Sequence, residues 1–282
     1  MRKVVFICNE DYGSNVMRGY QMAAALSNRC RLDATTRPHA DGETNSIVVF
    51  VKHARPEQVE KARAAGNTVV IDVVDRLAYK VAADEVIAWS MADMLITATG
   101  AAERSLSRFH KRVATVLHHW DERLPTIQRE RYAAFPYGLR FGYIGMGFNN
   151  KEFEALSDVT TIYNPGSWLH MAPMFTCHFG VRNPNDLQGM YKPATKLVTA
   201  AALSRTGMVC SKEAANVELL PDDYPYWVGA ATLTSVMHTL QKVSDTFGGP
   251  IWDEALEMLR AVKAKTDLTP IAHRYADLLR DL

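Results

Sequence analysis

The stretch best suited to chemistry in this chain is Tyr191-Lys-Pro-Ala-Thr-Lys-Leu-Val-Thr-Ala-Ala-Ala-Leu-Ser-Arg-Thr-Gly-Met-Val-Cys-Ser211. Pro193 suits the first turn of a helix, and Thr195 and Lys196 fall within that turn. The small residues Ala200, Ala201 and Ala202 allow close packing on a sheet, and Gly207 ends the helix ahead of a buried strand. A lysine at a helix amino end is electrostatically unfavourable by itself. An ammonium, a hydroxyl and unsatisfied backbone N–H groups together, however, are the chemistry that neutralises a diphosphate. The plain alternative is a helix with solvated lysines, and the full Lys-Pro-x-Thr-Lys-Leu context outweighs it.

Other candidates gather around the same task. Arg182 follows an expected strand, Cys177–Val181, and serves either as a second phosphate contact or as a surface-loop arginine. The loop Gly145-Met-Gly-Phe-Asn-Asn150 offers Gly145 and Gly147 for close backbone approach to a sugar or phosphate, or is a tight turn without a ligand. It lacks the third glycine of a dinucleotide fingerprint, Asn150 standing in that place, so nicotinamide chemistry is disfavoured. Groups that could act as a general base at expected strand ends are Asp11, His53, Asp75 and His118. Asp11 and Asp75 are the preferred pair, with Gly13 and Ser14 shaping the wall beside them; Asp75 could instead cap a helix. His118 and His119 are adjacent and point to opposite faces of a strand, so at most one of them can serve. Cys8, Cys30, Cys177 and Cys210 form no C-x-x-C pair, and no Asp-x-Asp occurs, so neither a thiolate metal site nor a carboxylate metal motif is expected.

These residues need a scaffold, and 282 residues suffice for two domains. With 48% apolar and 22% charged residues, disordered, collagen-like and low-complexity classes are excluded. A net charge of +1 gives no global field toward nucleic acid or an anionic membrane, so an anion must be held locally. Short Val/Ile-rich runs without alternation, at Val4–Cys8, Leu32–Thr35, Ile47–Val51, Thr68–Val74, Met94–Ala98 and Val113–Leu117, predict strands buried on both faces. Helical spacing predicts helices over Ser14–Asn28 and Pro56–Ala65 between them. The rhythm stops over Asp121–Gly138, an expected linker, and resumes with strands at Arg140–Ile144, Val159–Tyr163, Cys177–Val181, Gly207–Ser211 and Tyr226–Val228. Helices are expected at Pro193–Ser204 and Ala214–Leu220, and a tail of three at Leu233–Phe247, Trp252–Ala264 and Pro270–Leu279. The reading is α/β: a Rossmann-like domain over residues 1–138 and a second over residues 139–282 that includes the tail. The first apolar run is too short for a signal peptide, and no run of apolar residues spans a bilayer, so a cytoplasmic setting is expected, compatible with peripheral membrane contact.

The segment Lys192–Ser211, followed by Glu213-Ala-Ala-Asn-Val-Glu-Leu-Leu220, resembles the donor-site segment of glycosyltransferases with the GT-B fold. Tyr12-Gly-Ser-x-x-x-Arg-x-x-Gln-Met-Ala-x-x-Leu26 is similar to their first loop and helix, and Phe50-Val-Lys52, Val70–Asp75 and Ala92–Ile96 resemble their next strands. The resemblance covers most of the chain in order, with only Lys192–Ser211 specific. It implies two facing Rossmann-like, doubly wound domains and a nucleotide-diphosphate sugar held by the second. Thr195 and Lys196, with Arg182, would meet the diphosphate, and the first domain would present the acceptor.

Two departures bear on the site. Many members carry two glutamates eight positions apart in the donor domain, whereas Glu213 and Glu218 are five apart here; Glu218 is the candidate for a ribose contact. With no Asp-x-Asp, a metal-independent transfer is expected, the nucleotide sugar being donor substrate and no separate cofactor being needed. The acceptor stays open between glycan, lipid-linked sugar, small molecule and nucleic acid. Between Arg104 and Arg140 lie eight Lys or Arg against three Asp or Glu, suited to a phosphate backbone, a lipid headgroup or plain solvent. A sugar-nucleotide epimerase on the same fold and a non-catalytic sugar-nucleotide-binding protein are the rival readings.

Overall fold

The computed structural model describes residues 2–8, 13–76, 82–124, 138–145, 153, 156, 159–162, 168–183 and 187–282. They fall into two compact units, the first made of Met1–His119, Met190–Pro193 and Thr266–Leu282, the second of Trp120–Gly189 and Ala194–Lys265.

The first unit is a parallel sheet with helices on both faces. Its elements are β1 (Val4–Ile7), α1 (Met22–Cys30), β2 (Ala34–Arg37), β3 (Ile47–Val51), α2 (Pro56–Ala64), β4 (Thr68–Val74), α3 (Ala83–Met91), β5 (Met94–Thr97), α4 (Gly100–Leu106) and β6 (Val113–Thr115). The strand order is β2-β1-β3-β4-β5-β6, all neighbours parallel. Successive residues of a strand point to opposite faces, and both faces are apolar here. Val4, Phe6, Val49 and Ile96 pack in one core cluster with Met22 and Leu26 of α1. Val5, Ile7, Val48 and Phe50 pack in another with Val59 of α2 and Trp89 of α3. This double burial is why the strands read as continuous apolar runs.

A π-helical segment, Asn15–Gln21, leads into α1. It lies so close to β1 that a Cβ at Gly19 would stand 2.1 Å from Cys8 Sγ, so glycine is required there. From this segment Arg18 enters the core, fully buried. Its Nε and Nη2 reach Asp72 Oδ2 on β4 at 2.9 and 2.8 Å, and its Nη1 donates to the Val116 and Leu117 carbonyls at 2.9 and 3.0 Å.

The second unit contains β7 (Phe141–Ile144), β8 (Val159–Ile162), α5 (Trp168–Met171), β9 (Cys177–Gly180), α6 (Leu187–Tyr191), α7 (Thr195–Ala202), β10 (Gly207–Ser211), α8 (Ala214–Val217), β11 (Trp227–Val228), α9 (Leu233–Thr246) and α10 (Pro250–Lys265), apart from the end of α6, which clusters with the first unit. Its sheet order is β11-β10-β9-β7-β8, again all parallel. Both sheets therefore reverse direction once, between β1 and β3 and between β7 and β9, and such a switch point opens a crevice at the strand carboxyl ends. Gly207 starts β10 where Trp252 of α10 crosses it: a Cβ there would lie 2.5 Å from the indole ring.

The last helix, α11 (Leu268–Arg280), departs from the expected partition, which gave residues 139–282 to the second domain. Ile271, Tyr275 and Leu279 bury against Leu26 and Phe6 in the first core, and the Tyr275 hydroxyl donates to Asp72 Oδ2 at 3.3 Å. An amphipathic helix follows its apolar face rather than its neighbours in sequence, so the chain end belongs to the first unit. Among the described residues no helix is long and apolar enough to cross a membrane.

Candidate functional site

In the second unit the expected anion-binding residues gather at the carboxyl ends of β9 and β10 and the start of α7. The helix begins at Thr195, two residues after Pro193, with Ala194 as a cap that offers no side-chain hydrogen bond. Thr195 and Lys196 thus occupy its first two positions, where backbone N–H groups lack intrahelical partners. Lys196 lies along β9: a Cβ at Gly180 would stand 3.1 Å from Lys196 Cδ. The ammonium sits 4.9 Å from the centre of the Tyr143 ring on β7, within cation–π range.

Arg182, two residues beyond β9, is held by two contacts. Its backbone N–H donates to Ser211 Oγ at 2.9 Å, and its Nε lies 3.1 Å from Glu213 Oε2. Ser211 Oγ in turn donates to Glu213 Oε1 at 3.2 Å, and Asn216 Nδ2 donates to the Ser211 carbonyl at 3.0 Å. Glu213 is only 2% exposed. Burial pushes its carboxyl up, while Arg182 and then Lys196 pull it back. Two cations thus face one buried carboxylate beside a helix amino terminus, a setting suited to holding an anion.

Of the expected loop residues, Gly145 directly follows β7 with φ +155°, and a Cβ there would lie 3.1 Å from the Tyr143 hydroxyl, so the position selects glycine. Gly147 lies outside the described residues. Glu218 is exposed at the carboxyl end of α8, whereas Glu213 is the carboxylate built into the cluster. Sequence reasoning passed over Glu213 in favour of Glu218 and gave no role to Ser211, Tyr143 or Gly180. Ser211 ends a buried strand and Glu213 stands two residues beyond it, the one signal that could have found them.

In the first unit Asp11 lies outside the described residues. Gly13 is exposed with open space around it, and Ser14 is half-buried where the helical segment after β1 begins. Asp75 follows β4 and is gripped by two lysines, Lys52 Nζ at 2.9 Å and Lys192 Nζ at 3.1 Å. Burial raises its carboxyl, but Lys192 and Lys52 outweigh this and hold it at about 2. So held, it is a poor proton acceptor, which counts against the base role expected of it. Both strand ends leave the sheet through left-handed residues, Lys52 at φ 70° and Val74 at φ 52°. For a β-branched residue such as Val74 this backbone is costly, and it turns Asp75 toward the lysines.

The histidines differ in their surroundings. His118 is buried, its Nδ1 has no hydrogen-bond partner, and burial followed by the Arg18 charge lowers it to about 3. It belongs to the core. His53, after β3, has a largely exposed ring; burial of its surroundings and Arg76 lower it from its ordinary value, so the imidazole is neutral at pH 7.

No protein-family model and no curated protein sequence matches the chain. Solved structures do. HepE from Anabaena, solved in complex with UDP-glucose, superposes with a TM-score of 0.69 at 8% identity over 100% of both chains. A glycosyltransferase from Rickettsia africae gives 0.69 at 7% identity over 99% of this chain and 98% of that one. Sucrose-phosphate synthase from Thermosynechococcus elongatus gives 0.62 at 12% identity over 100% and 99%. The chain therefore has the GT-B fold, two parallel-sheet α/β units with a closing helix, at identities that speak for fold alone.

Proposed function

We propose that the protein is a glycosyltransferase that moves a sugar from a nucleotide-diphosphate donor to an acceptor hydroxyl without a metal ion. The observation that carries this reading is the cluster of Arg182, Lys196 and Glu213 at the start of α7, on a chain with the GT-B fold. Departure of a nucleoside diphosphate builds negative charge on its terminal phosphate. Fixed cations and helix N–H groups stabilise that charge without reorganising during the reaction. Arg182 and Lys196 supply the charges, Thr195 supplies a hydroxyl and the α7 amino end the N–H groups, so the task a metal performs elsewhere has protein donors here. The buried carboxylate of Glu213 holds the Arg182 guanidinium in place. Glu218 remains the proposed ribose contact, and Gly145 and, from sequence, Gly147 remain the proposed donor-loop glycines.

For the acceptor, the first unit offers Gly13 and Ser14 after β1 and His53 after β3. The neutral imidazole of His53 is a better proton acceptor than Asp75, whose two lysines hold it ionised and weakly basic. Asp11 keeps its place as the other candidate base. A uridine diphosphate sugar is the first donor to test, since HepE was solved with UDP-glucose. Incubating the purified protein with a panel of nucleotide sugars checks the proposal: slow release of nucleoside diphosphate and free sugar supports transfer chemistry. Interconversion of the intact sugar nucleotide would assign an epimerase, and binding without turnover a sensor; either result overturns the proposal.

A further inference from the structure

We propose that the turn joining α4 to β6 is a docking point for an anionic lipid surface, with Phe109 as the inserting side chain and Arg104, Arg108, Lys111 and Arg112 as headgroup contacts. Phe109 is 62% exposed, the highest value among the exposed large hydrophobic side chains described. The four basic residues around it are all exposed. Arg104, Arg108 and Lys111 have no ion-pair partner among the described residues. Arg112 donates from Nη2 to the Asp281 backbone carbonyl at 2.8 Å, which leaves its charge unneutralised.

The exposure of Phe109 is built into an ordered turn. The N–H groups of Phe109 and His110 both donate to the Leu106 carbonyl, at 2.8 and 2.9 Å. His110 Nε2 donates to the Ala92 carbonyl at 3.0 Å while its Nδ1 accepts the Arg112 N–H at 3.0 Å. The ring of His110 is thus pinned inward and Phe109 is presented outward. Of the carboxylates nearby, Asp93 is paired with Arg63 at 2.7 Å, and Glu103, which accepts from the Thr115 hydroxyl, keeps its charge but is outnumbered by the four cations. The turn precedes β6, so it stands at the opposite end of the sheet from Lys52, His53 and Asp75, and docking there leaves those strand ends free.

Charge complementarity selects the occupant. A basic cluster near an anionic bilayer gains from each Lys or Arg, and an aromatic ring at the interface adds buried apolar area. A nucleic acid would call for cations laid out along a phosphate track. Here they flank one apolar side chain over a short stretch from the end of α4 to the start of β6, a spot rather than a track.

The test is cosedimentation of the full chain with vesicles of phosphatidylcholine alone and of phosphatidylcholine with about one-third phosphatidylserine. Binding is expected to the anionic vesicles only, and to fall steeply as salt rises from about 50 to about 500 mM. Arg108→Glu with Lys111→Glu should lower the partition coefficient by more than about tenfold, and Phe109→Ala by roughly fivefold or more. All these side chains are exposed, and circular dichroism checks that the fold is kept. Equal retention on neutral and anionic vesicles, or unchanged binding by both variants, overturns the proposal. So does capture of duplex DNA through these same cations without vesicle binding. Because no donor or acceptor enters the assay, its outcome is independent of the proposed transfer.

Discussion

Replacing Arg18 by Met should destabilise the first unit by about 4–6 kcal/mol at pH 7, and the structure explains how that figure arises. Arg18 and Asp72 are both fully buried, with the guanidinium 2.8 Å from the carboxylate. Methionine fills much of the volume but leaves Asp72 as an unpaired charge in the core. The carboxyl escapes by taking up a proton, at a cost at pH 7 of about 4 kcal/mol from an unfolded value near 3.9. That cost caps the charge penalty. The Val116 and Leu117 carbonyls, which lose their 2.9 and 3.0 Å donor, add about 1–2 kcal/mol. The sign with pH follows: in the variant, Asp72 binds a proton when folded and not when unfolded above about pH 4, so stability falls as pH rises. The deficit should therefore shrink to roughly 2–3 kcal/mol at pH 5. Amide hydrogen exchange along β4 and α11 measures the opening free energy of this unit without assuming that both units unfold together. A deficit below about 1 kcal/mol, or one that does not shrink on acidification, would refute the reasoning.

Further outcomes are expected. Lys196→Ala should lower turnover of the nucleotide sugar by about 3 kcal/mol in the barrier, roughly a hundredfold, with the fold intact by circular dichroism; near-normal turnover would sink the assignment of the diphosphate site. Gly180→Ala places a Cβ 2.5 Å from Met208 Cε, a flexible end that can move, and 3.1 Å from Lys196 Cδ. It should cost little stability yet impair donor turnover, to be read by pairing a melting curve with a rate. Gly207→Ala meets the rigid indole of Trp252 at 2.5 Å and should destabilise by about 1–3 kcal/mol in denaturant titration. Burial lowers His118 to about 3 and His178 to about 4. Both stay neutral when folded but protonate near 6.5 when unfolded, so stability is full above that value and lost as pH falls, by about 2 kcal/mol each at pH 5. A flat unfolding profile between pH 7 and pH 5 would contradict this.

What the chain discloses before folding depends on whether a signal is local. Each of the eleven strands among the described residues overlaps a run picked out by type, and the match is best where burial on both faces leaves no polar alternation to confuse the pattern. Boundaries slip where the driving contact is remote. Leu32–Thr35 became Ala34–Arg37, paired in register with Val4–Ile7, and the start of α7 moved to Thr195. The expected helix over Ser14–Asn28 exists, but its first part is π-helical, and no propensity indicates that Arg18 would turn inward to meet Asp72 on β4. The same holds for the site. That Thr195 and Lys196 open a helix was legible because a helix start is a local pattern. Glu213 was not, because its meaning comes from Arg182, thirty-one positions earlier, and from Ser211, which orients it.

Charge ties the two scales together. A chain of net charge +1 has no long-range field to draw in an anion, so selectivity must come from local imbalance. At the strand ends of the first unit, Lys52 and Lys192 converge on Asp75, and Arg76 pairs with Glu85. There two cations share one carboxylate, and Asp75 is consumed in holding both lysines. Around α7, Arg182 and Lys196 both act on the buried Glu213, and Lys196 also leans on the Tyr143 ring, which attracts a cation without neutralising it. The Glu213 carboxyl responds to both cations and still lies above its ordinary value, so any proton it takes up adds to the local positive charge. In the proposed donor site a diphosphate answers these cations directly, and its like charge favours uptake of that proton by Glu213.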